Sequence, residues 1–217
     1  MTTLATMKAR IASELRRSNI DDQIADAIST AIAAYQGERF HFSESRAVTF
    51  TTVDDQEFYD AADAASLALI SKIDYVVIYQ GDNEYTLKPR SPDELERLSQ
   101  SGTNTGMPLF YGWYGNQLRL CPIPNEAWTV RIGCELAVAA PATDAEADNP
   151  WMTHAERLIR SRAKYELYEH VLLAPDMAAR FDPDNENGPT GQAYSELKRR
   201  TNKRAAPGGF IIRPVEF

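Results

Sequence analysis

GMPLFYGWYGNQLRLCPIPNEAWTVRIGCE, residues 106–135, carries two alternating segments separated by a pair of prolines. In the first, Gln117, Arg119 and Cys121 alternate with Asn116, Leu118 and Leu120. In the second, Trp128, Val130, Ile132 and Cys134 alternate with Thr129, Arg131 and Gly133. A period of two marks strands with one wet and one buried face, because successive side chains of a pleated backbone point to opposite sides. Pro122 and Pro124 have no N–H to give to a ladder, so the chain must leave the sheet between Cys121 and Glu126, where Asn125 helps it turn. The stretch therefore predicts two facing strands, a half-buried antiparallel pair folded across that turn.

Upstream, Leu4, Met7, Ile11 and Leu15 recur at three- and four-residue spacings, so residues 3–17 predict a helix capped by Thr3. Ser18 and Asn19 interrupt it. A second helix begins near Ile20, with Asp21 and Asp22 in its first turn and Ile24, Ala27, Ile28, Ala31, Ile32 and Tyr35 on one face, and ends around Gly37 to Arg39. The two stripes predict a helical hairpin. From Ala47 the period changes to two: Val48, Phe50 and Thr52 and then Glu57, Phe58 and Tyr59 predict a hairpin turning at Asp54 to Gln56. Asp60 to Leu69 reads equally as helix or linker. Lys72 to Tyr79 is a strand by its β-branched and aromatic content, returned through Gly81, Asp82 and Asn83 into Glu84 to Lys88. Ser91, Pro92, Asp93 and Glu94 start a helix that continues through Leu95 and Leu98, and Ser101 to Gly106 is a polar loop.

Downstream, Ala137 to Asn149 is an aperiodic connector. Pro150 and Trp151 open a long helix whose apolar positions include Leu158, Ile159, Tyr165, Leu167, Tyr168, Val171 and Leu172, ending before Pro175. A short helix over Asp176 to Phe181, a loop over Asp182 to Gly188 and a last helix from Thr190 to Asn202, with Tyr194 and Leu197 inward, complete the order. The final APGGFIIRPVEF is too rich in proline and glycine for helix, yet carries an apolar group that wants a partner. The class predicted is α+β: a helical bundle formed by the N- and C-terminal helices, with an inserted antiparallel β domain and an extended C-terminal tail. The divisions fall at 1–45, 46–140, 141–204 and 205–217.

With 217 residues, 43% apolar and 25% charged, the composition is that of an ordinary globular protein. Lys8, Arg10, Arg16 and Arg17 interrupt any apolar run at the start, and nowhere do about 18 apolar residues follow one another, so a cytosolic protein without a membrane span is expected. In that compartment Cys121 and Cys134, placed on facing strands, are expected to stay reduced. Residues 1–150 hold 12 basic and 22 acidic side chains, and residues 151–217 hold 11 and 9. An acidic body does not grip DNA by neutralising phosphates, although DNA can pass it. Lys198, Arg199, Arg200, Lys203 and Arg204 are the exception, either a candidate basic contact or a solvated helix end that complements the macrodipole.

A Gly-x-Pro, an aromatic strand, a Leu-x-Leu-x-Pro-x-Pro segment and a second strand stand here at Gly106, Pro108, Tyr111, Leu118, Leu120, Pro122, Pro124 and Trp128 to Cys134. The pattern resembles the head-to-tail adaptor proteins of tailed bacteriophages. The helix pair jointed at Ile20, Asp21, Asp22 and Gln23, and the late helices leading into a tail, extend the resemblance over most of the chain. It departs at Trp128, where tyrosine is expected, and at Ala61 to Leu69, which reads as an added segment. The resemblance implies a structural protein, not an enzyme, without cofactor or metal. Twelve subunits would form a ring beneath the portal protein ring, helical part toward the portal and sheet part toward the tail or nozzle proteins. DNA would pass through without sequence-specific binding. The location implied is the virion neck, after assembly in the host cytoplasm. Portal binding would fall to Phe210, Ile211, Ile212, Pro214, Val215 and Phe217.

The residues themselves offer little chemistry. His41, His154 and His170 lack metal-site spacing, and no phosphate loop or nucleophile elbow is present. DPDNENG, residues 182–188, alternates oxygen-bearing side chains, but its glycine is seventh rather than sixth and its twelfth position is Ala193, which disfavours a calcium loop. Asp54 with Asp55, and Asp60 with Asp63, read as turn aspartates. Tyr111 and Trp113 project to one side of their strand and suggest a subunit or tail interface. The same strand keeps open a carbohydrate-binding module, and a cytosolic assembly chaperone is a third reading.

Overall fold

The computed structural model describes residues 3–99 and 104–205. Helices α1 (Leu4–Leu15) and α2 (Asp21–Tyr35) lead into strands β1 (Glu44–Thr51), β2 (Phe58–Tyr59), β3 (Ile70–Gln80) and β4 (Asn83–Pro89). Helix α3 (Pro92–Ser99) and strands β5 (Phe110–Tyr114), β6 (Gln117–Cys121) and β7 (Thr129–Leu136) follow, then helices α4 (Pro150–His154), α5 (Glu156–Glu166), α6 (Pro175–Phe181) and α7 (Pro189–Ala205). A 3₁₀ turn, Ala65–Leu69, precedes β3, and a π-helical turn, Leu167–Val171, follows α5. The class is α+β. One compact unit takes the described parts of Met1–Phe42 and Val138–Phe217, and the other takes Ser43–Ala137.

In the helical unit, Thr3 caps α1 reciprocally: its side chain accepts from the Thr6 N–H while the Thr6 hydroxyl accepts from the Thr3 N–H at 2.8 Å. The expected faces of α1 and α2 are the buried ones. Met7 and Ile11 meet Ile24, Ile28 and Ile32, and Trp151, Leu158 and Leu197 from the later helices close the same core. The long helix expected from Pro150 is broken. It stops at Ala155, where φ is −116°, resumes as α5 and then widens into the π turn. A wider turn shifts the phase of the apolar stripe. Leu167 stays in the core, while Val171 is rotated out to 41% exposure instead of facing inward. The last helix runs three residues beyond the expected Asn202, to Ala205.

In the sheet unit the strand order is β1-β7-β3-β4-β5-β6-β2. The antiparallel pair expected between the two halves of residues 106–135 does not form, because β6 lies between β5 and β2 and β7 between β1 and β3. The tight hairpin is β5–β6, closed at Gly115 and Asn116 with φ of 60° and 61°. Two consecutive positive-φ residues match the right-handed twist of flanking strands, and that short closure takes precedence over the longer proline segment. The prolines instead carry the chain from one part of the sheet to another. For the same reason Cys121 and Cys134 are not on neighbouring strands, and both are free and buried. The expected β1–β2 hairpin is also absent: the two strands are the outer edges of the sheet order, β1 paired with β7 and β2 with β6. The β3–β4 hairpin forms as expected, turning at Gly81.

The sheet curls round its own core. The rings of Phe50 and Tyr59, from the two edge strands, lie 4.8 Å apart, and the Tyr59 hydroxyl accepts from the Val53 N–H and donates to the Gln56 carbonyl at 2.9 Å. Between them the core gathers Val48, Val76, Leu118, Val130 and Ile132. Two glycines admit close neighbours: a side chain on Gly133 would meet the Tyr75 ring at 2.3 Å, and one on Gly112 would meet Leu95 Cδ1 at 2.6 Å. The alternation expected for β6 fails, since Leu118, Arg119, Leu120 and Cys121 are all buried. Core covers one face of β6. Over the other, Phe58 lies against the Arg119 guanidinium, which also bonds Glu96 of α3.

Candidate functional site

The basic run of α7 divides into paired and unpaired halves. Lys198 donates to Glu38 Oε2 at 2.6 Å and to the Arg39 carbonyl, and its ammonium lies 5.1 Å from the Phe40 ring centroid. The Tyr194 hydroxyl bonds the same Glu38 oxygen at 3.0 Å. The hydrogen bond from Lys198 is the main reason the Glu38 carboxyl titrates below its ordinary value. Arg200 bonds Glu196, which also receives Arg157. Arg199, Lys203 and Arg204 are exposed and make no ion pair among the described residues. Lys203 and Arg204 occupy the last turn, where cations suit the helix dipole.

The aromatic strand turns inward. Tyr111, 5% exposed, belongs to the sheet core, and Trp113, half-buried, packs against it. That face offers no ring for a sugar to stack on. On the other face, Phe110 carries the Arg90 guanidinium 5.0 Å from its centroid, and Tyr114 is 77% exposed.

Beside Tyr114 is a cavity of about 120 Å³ bounded by Phe58, Leu95, Glu96 and Arg119. Arg119 bonds Glu57 at 2.6 Å and Glu96 at 2.7 Å beneath the Phe58 ring. Burial lowers the Arg119 pKa, but these two carboxylates more than offset it, so the guanidinium titrates above its ordinary value and stays charged. Sequence reading missed this group, since Arg119 resembled the wet half of an alternating strand. The one available signal was Phe58, apolar yet adjoining a polar turn.

Nothing in the described residues assembles a reactive centre. His41 and His154 approach to 5.1 Å between ring centroids, an encounter spacing alone did not show, while His170 sits 3.4 Å from Glu166. Asp60 and Asp63 serve their own turn: Asp63 accepts from the Asp60 N–H and Asp60 from the Ala62 N–H. In residues 182–188, Asp182 and Asn185 spend their side-chain oxygens on the N–H groups of Asp184 and Asn187. Among the described residues no three His, Cys, Asp or Glu side chains converge as a metal site, and no helix is long and apolar enough to cross a membrane. Burial pushes the Cys134 thiol up to about 11 and raises Cys121 as well, so neither is a ready nucleophile near neutral pH.

Phe210, Ile211, Ile212, Pro214, Val215 and Phe217 lie outside the described residues. No curated protein matches the chain. The model of one family, described as SU10 adaptor protein, matches residues 2–210, nearly the whole length. The described parts of both compact units, the aromatic strand and the proline crossing all fall within that match, and this chain belongs to the SU10 adaptor protein family, in keeping with the phage head-to-tail adaptors its sequence resembles.

Proposed function

We propose that this protein is a structural head-to-tail adaptor of a tailed phage: a subunit of a ring that docks beneath the portal, extends the DNA channel and receives the tail or nozzle proteins. The observation that carries the reading is the family match over residues 2–210, which spans the described parts of both compact units. The physical features fit it. Subunits joined head to tail must close into a ring or run on as a filament, and docking on a ring of defined symmetry selects closure; twelve is the number proposed. A net charge of −8 per subunit disfavours adhesion to phosphates, which suits a passage for DNA. In this reading the terminal helices form one bundle on the portal side, and the sheet unit faces the tail. Phe210 to Phe217 clamp the portal, the basic run of Lys198, Arg199, Arg200, Lys203 and Arg204 offers a charged contact through its unpaired members, and Tyr111 and Trp113 brace the strand whose exposed face meets the next subunit or the tail.

The test is to mix the purified chain with the portal ring of the same phage and weigh the product by native mass spectrometry. A discrete ring-on-ring mass is expected, and it counts the subunits directly. An intact fold with no portal-bound species would overturn the proposal. Removal of residues 205–217 is expected to abolish docking without altering the circular dichroism spectrum; undiminished docking would take the tail out of the mechanism.

A further inference from the structure

Two groups of charges, unpaired among the described residues, lie at opposite ends of the helical unit. Arg10 pairs with Glu156, and Glu14 with Arg160 and Lys164, so α1 and α5 run in the same direction. Tyr35, ending α2, stacks on Tyr194, and Arg157, near the start of α5, pairs with Glu196 two residues farther along α7, while the π turn after α5 also touches α2, so α2 runs antiparallel to α5. The residues after Tyr35 keep step with α7: Glu38 meets Lys198, and the His41 N–H donates to Thr201. The last turn of α7 therefore lies beyond the C-terminal end of α2. The first turn of α2 is at the opposite end, about 22 Å away along that helix alone at 1.5 Å per residue.

Asp21, Asp22 and Asp26 are exposed there and make no ion pair among the described residues, not even with Arg16 and Arg17 in the joint. Asp22 and Asp26 are four residues apart, as are Arg199 and Lys203, and Arg200 and Arg204. Like charges at that spacing repel along a helix. The dipole relieves such repulsion only in the terminal turn, and Asp26 and Arg199 lie deeper. Arg16 and Arg17 offset part of the acidic charge of the joint, yet the Asp22 and Asp26 stripe of α2 stays unpaired among the described residues, and the basic turn of α7 in a second copy would neutralise it.

We infer that neighbouring copies meet through these ends, the Arg199, Lys203 and Arg204 turn of α7 in one docking on the Asp21, Asp22 and Asp26 face of α2 in the next. The contact is heterologous, so it propagates in one direction, and docking on a ring of defined symmetry would close it rather than let it run on as a filament. Its biological setting rests on the adaptor reading above, but the contact itself is tested without the portal.

Two charge reversals of the full chain, Arg199→Glu with Lys203→Glu and Asp22→Lys with Asp26→Lys, are compared with the unaltered protein by sedimentation velocity from low to high salt. Circular dichroism confirms that each retains its fold. The unaltered chain is expected to associate at low salt and to dissociate as salt rises. Each variant alone is expected to associate at least about tenfold more weakly, since like charges then face each other. Mixing the two is expected to restore association. Variants that associate as the parent does, or a mixture that fails to recover, would overturn the contact. So would an unaltered chain that stays monomeric yet binds a DNA duplex through Arg199 and Lys203, because phosphates would then be the partner of that end. A chain that shows the charge-swapped recovery but ignores the portal ring would leave this contact standing and remove only the adaptor reading.

Discussion

In the helical unit, residues that share the core recur three or four apart on each helix, as Ile24, Ile28 and Ile32 do. In the sheet unit, the residues that pair are remote: Phe58 meets Arg119, Tyr75 meets Gly133 and Phe50 meets Val130. The first unit is assembled from stripes that each helix displays by itself. The second depends on which strand finds which, and chain order is a poor guide, since the β5–β6 hairpin closes in two residues while β6 and β7, next along the chain, never pair. Local order and long-range order thus coexist in one chain, and each predicts a different response to substitution.

The largest response is expected in the helical core. Trp151 is 2% exposed, donates its indole N–H to the Val138 carbonyl and meets the Phe40 and Phe42 rings edge-on. Trp151→Ala should cost about 3–5 kcal/mol, read from urea unfolding at 222 nm. A loss below about 1 kcal/mol would mean that the stripes of α1 and α2 hold without it, and would deepen the contrast between the units.

Gly133→Ala comes next, in the sheet unit, at about 1–3 kcal/mol, because the new methyl group meets the Tyr75 ring that now covers the glycine. A double-mutant cycle with Tyr75→Ala should recover most of that loss. Cys134 follows in the strand, and its thiol, pushed up to about 11 by burial, reports opening: labelling should accelerate in Gly133→Ala and return toward the parental rate in the pair. An unchanged labelling rate would show that the strand bends away from Tyr75 at no cost.

Gly115→Val should cost about 1–2 kcal/mol, because Gly115 holds φ at 60° in the β5–β6 turn. Gly37→Ala, in the helical unit, has open space and no positive φ, and should be close to neutral. Equal effects of the two on the melting temperature would argue that the turn does not set the strand order.

Among the substitutions expected to cost stability, that of Glu38 has the smallest effect. Its folded carboxyl is lowered chiefly by the Lys198 hydrogen bond, so its contribution is present above the ordinary glutamate range and is lost as pH falls through the lowered value. The side chain is 42% exposed, so the contribution should stay below about 1 kcal/mol. Glu38→Gln should flatten that part of the stability profile between neutral and acid pH; an unaltered slope would assign it to other carboxylates.

Both α1 and α2, with their buried faces, were readable because the spacing of Met7 and Ile11 and of Ile24 to Tyr35 is itself the helix period. The capping box of α3 was readable for a similar reason, with Ser91 and Glu94 answering each other across one turn. Gly115 and Asn116 were a hairpin signal outweighed by the more conspicuous prolines. Of the candidate interface residues, Tyr111 was placed on the right strand, but the pleat alone does not say which face of a curled sheet is its inside. Val171 was assigned inward because nothing in its neighbours announces a π turn.

By itself the sequence determined the α+β class, the run of helices and most strands, the acidic body with its basic α7 end, and the resemblance that the family match extends over residues 2–210. The tertiary structure alone decided the strand order, the separation of Cys121 from Cys134, the burial of Arg119 between Glu57 and Glu96, and the unpaired charges at opposite ends of the helical unit. Helix periodicity is written in side chains a few residues apart. Strand pairing is made by backbone N–H and C=O groups that every residue other than proline shares, so the choice among partners falls to the packing of the whole core.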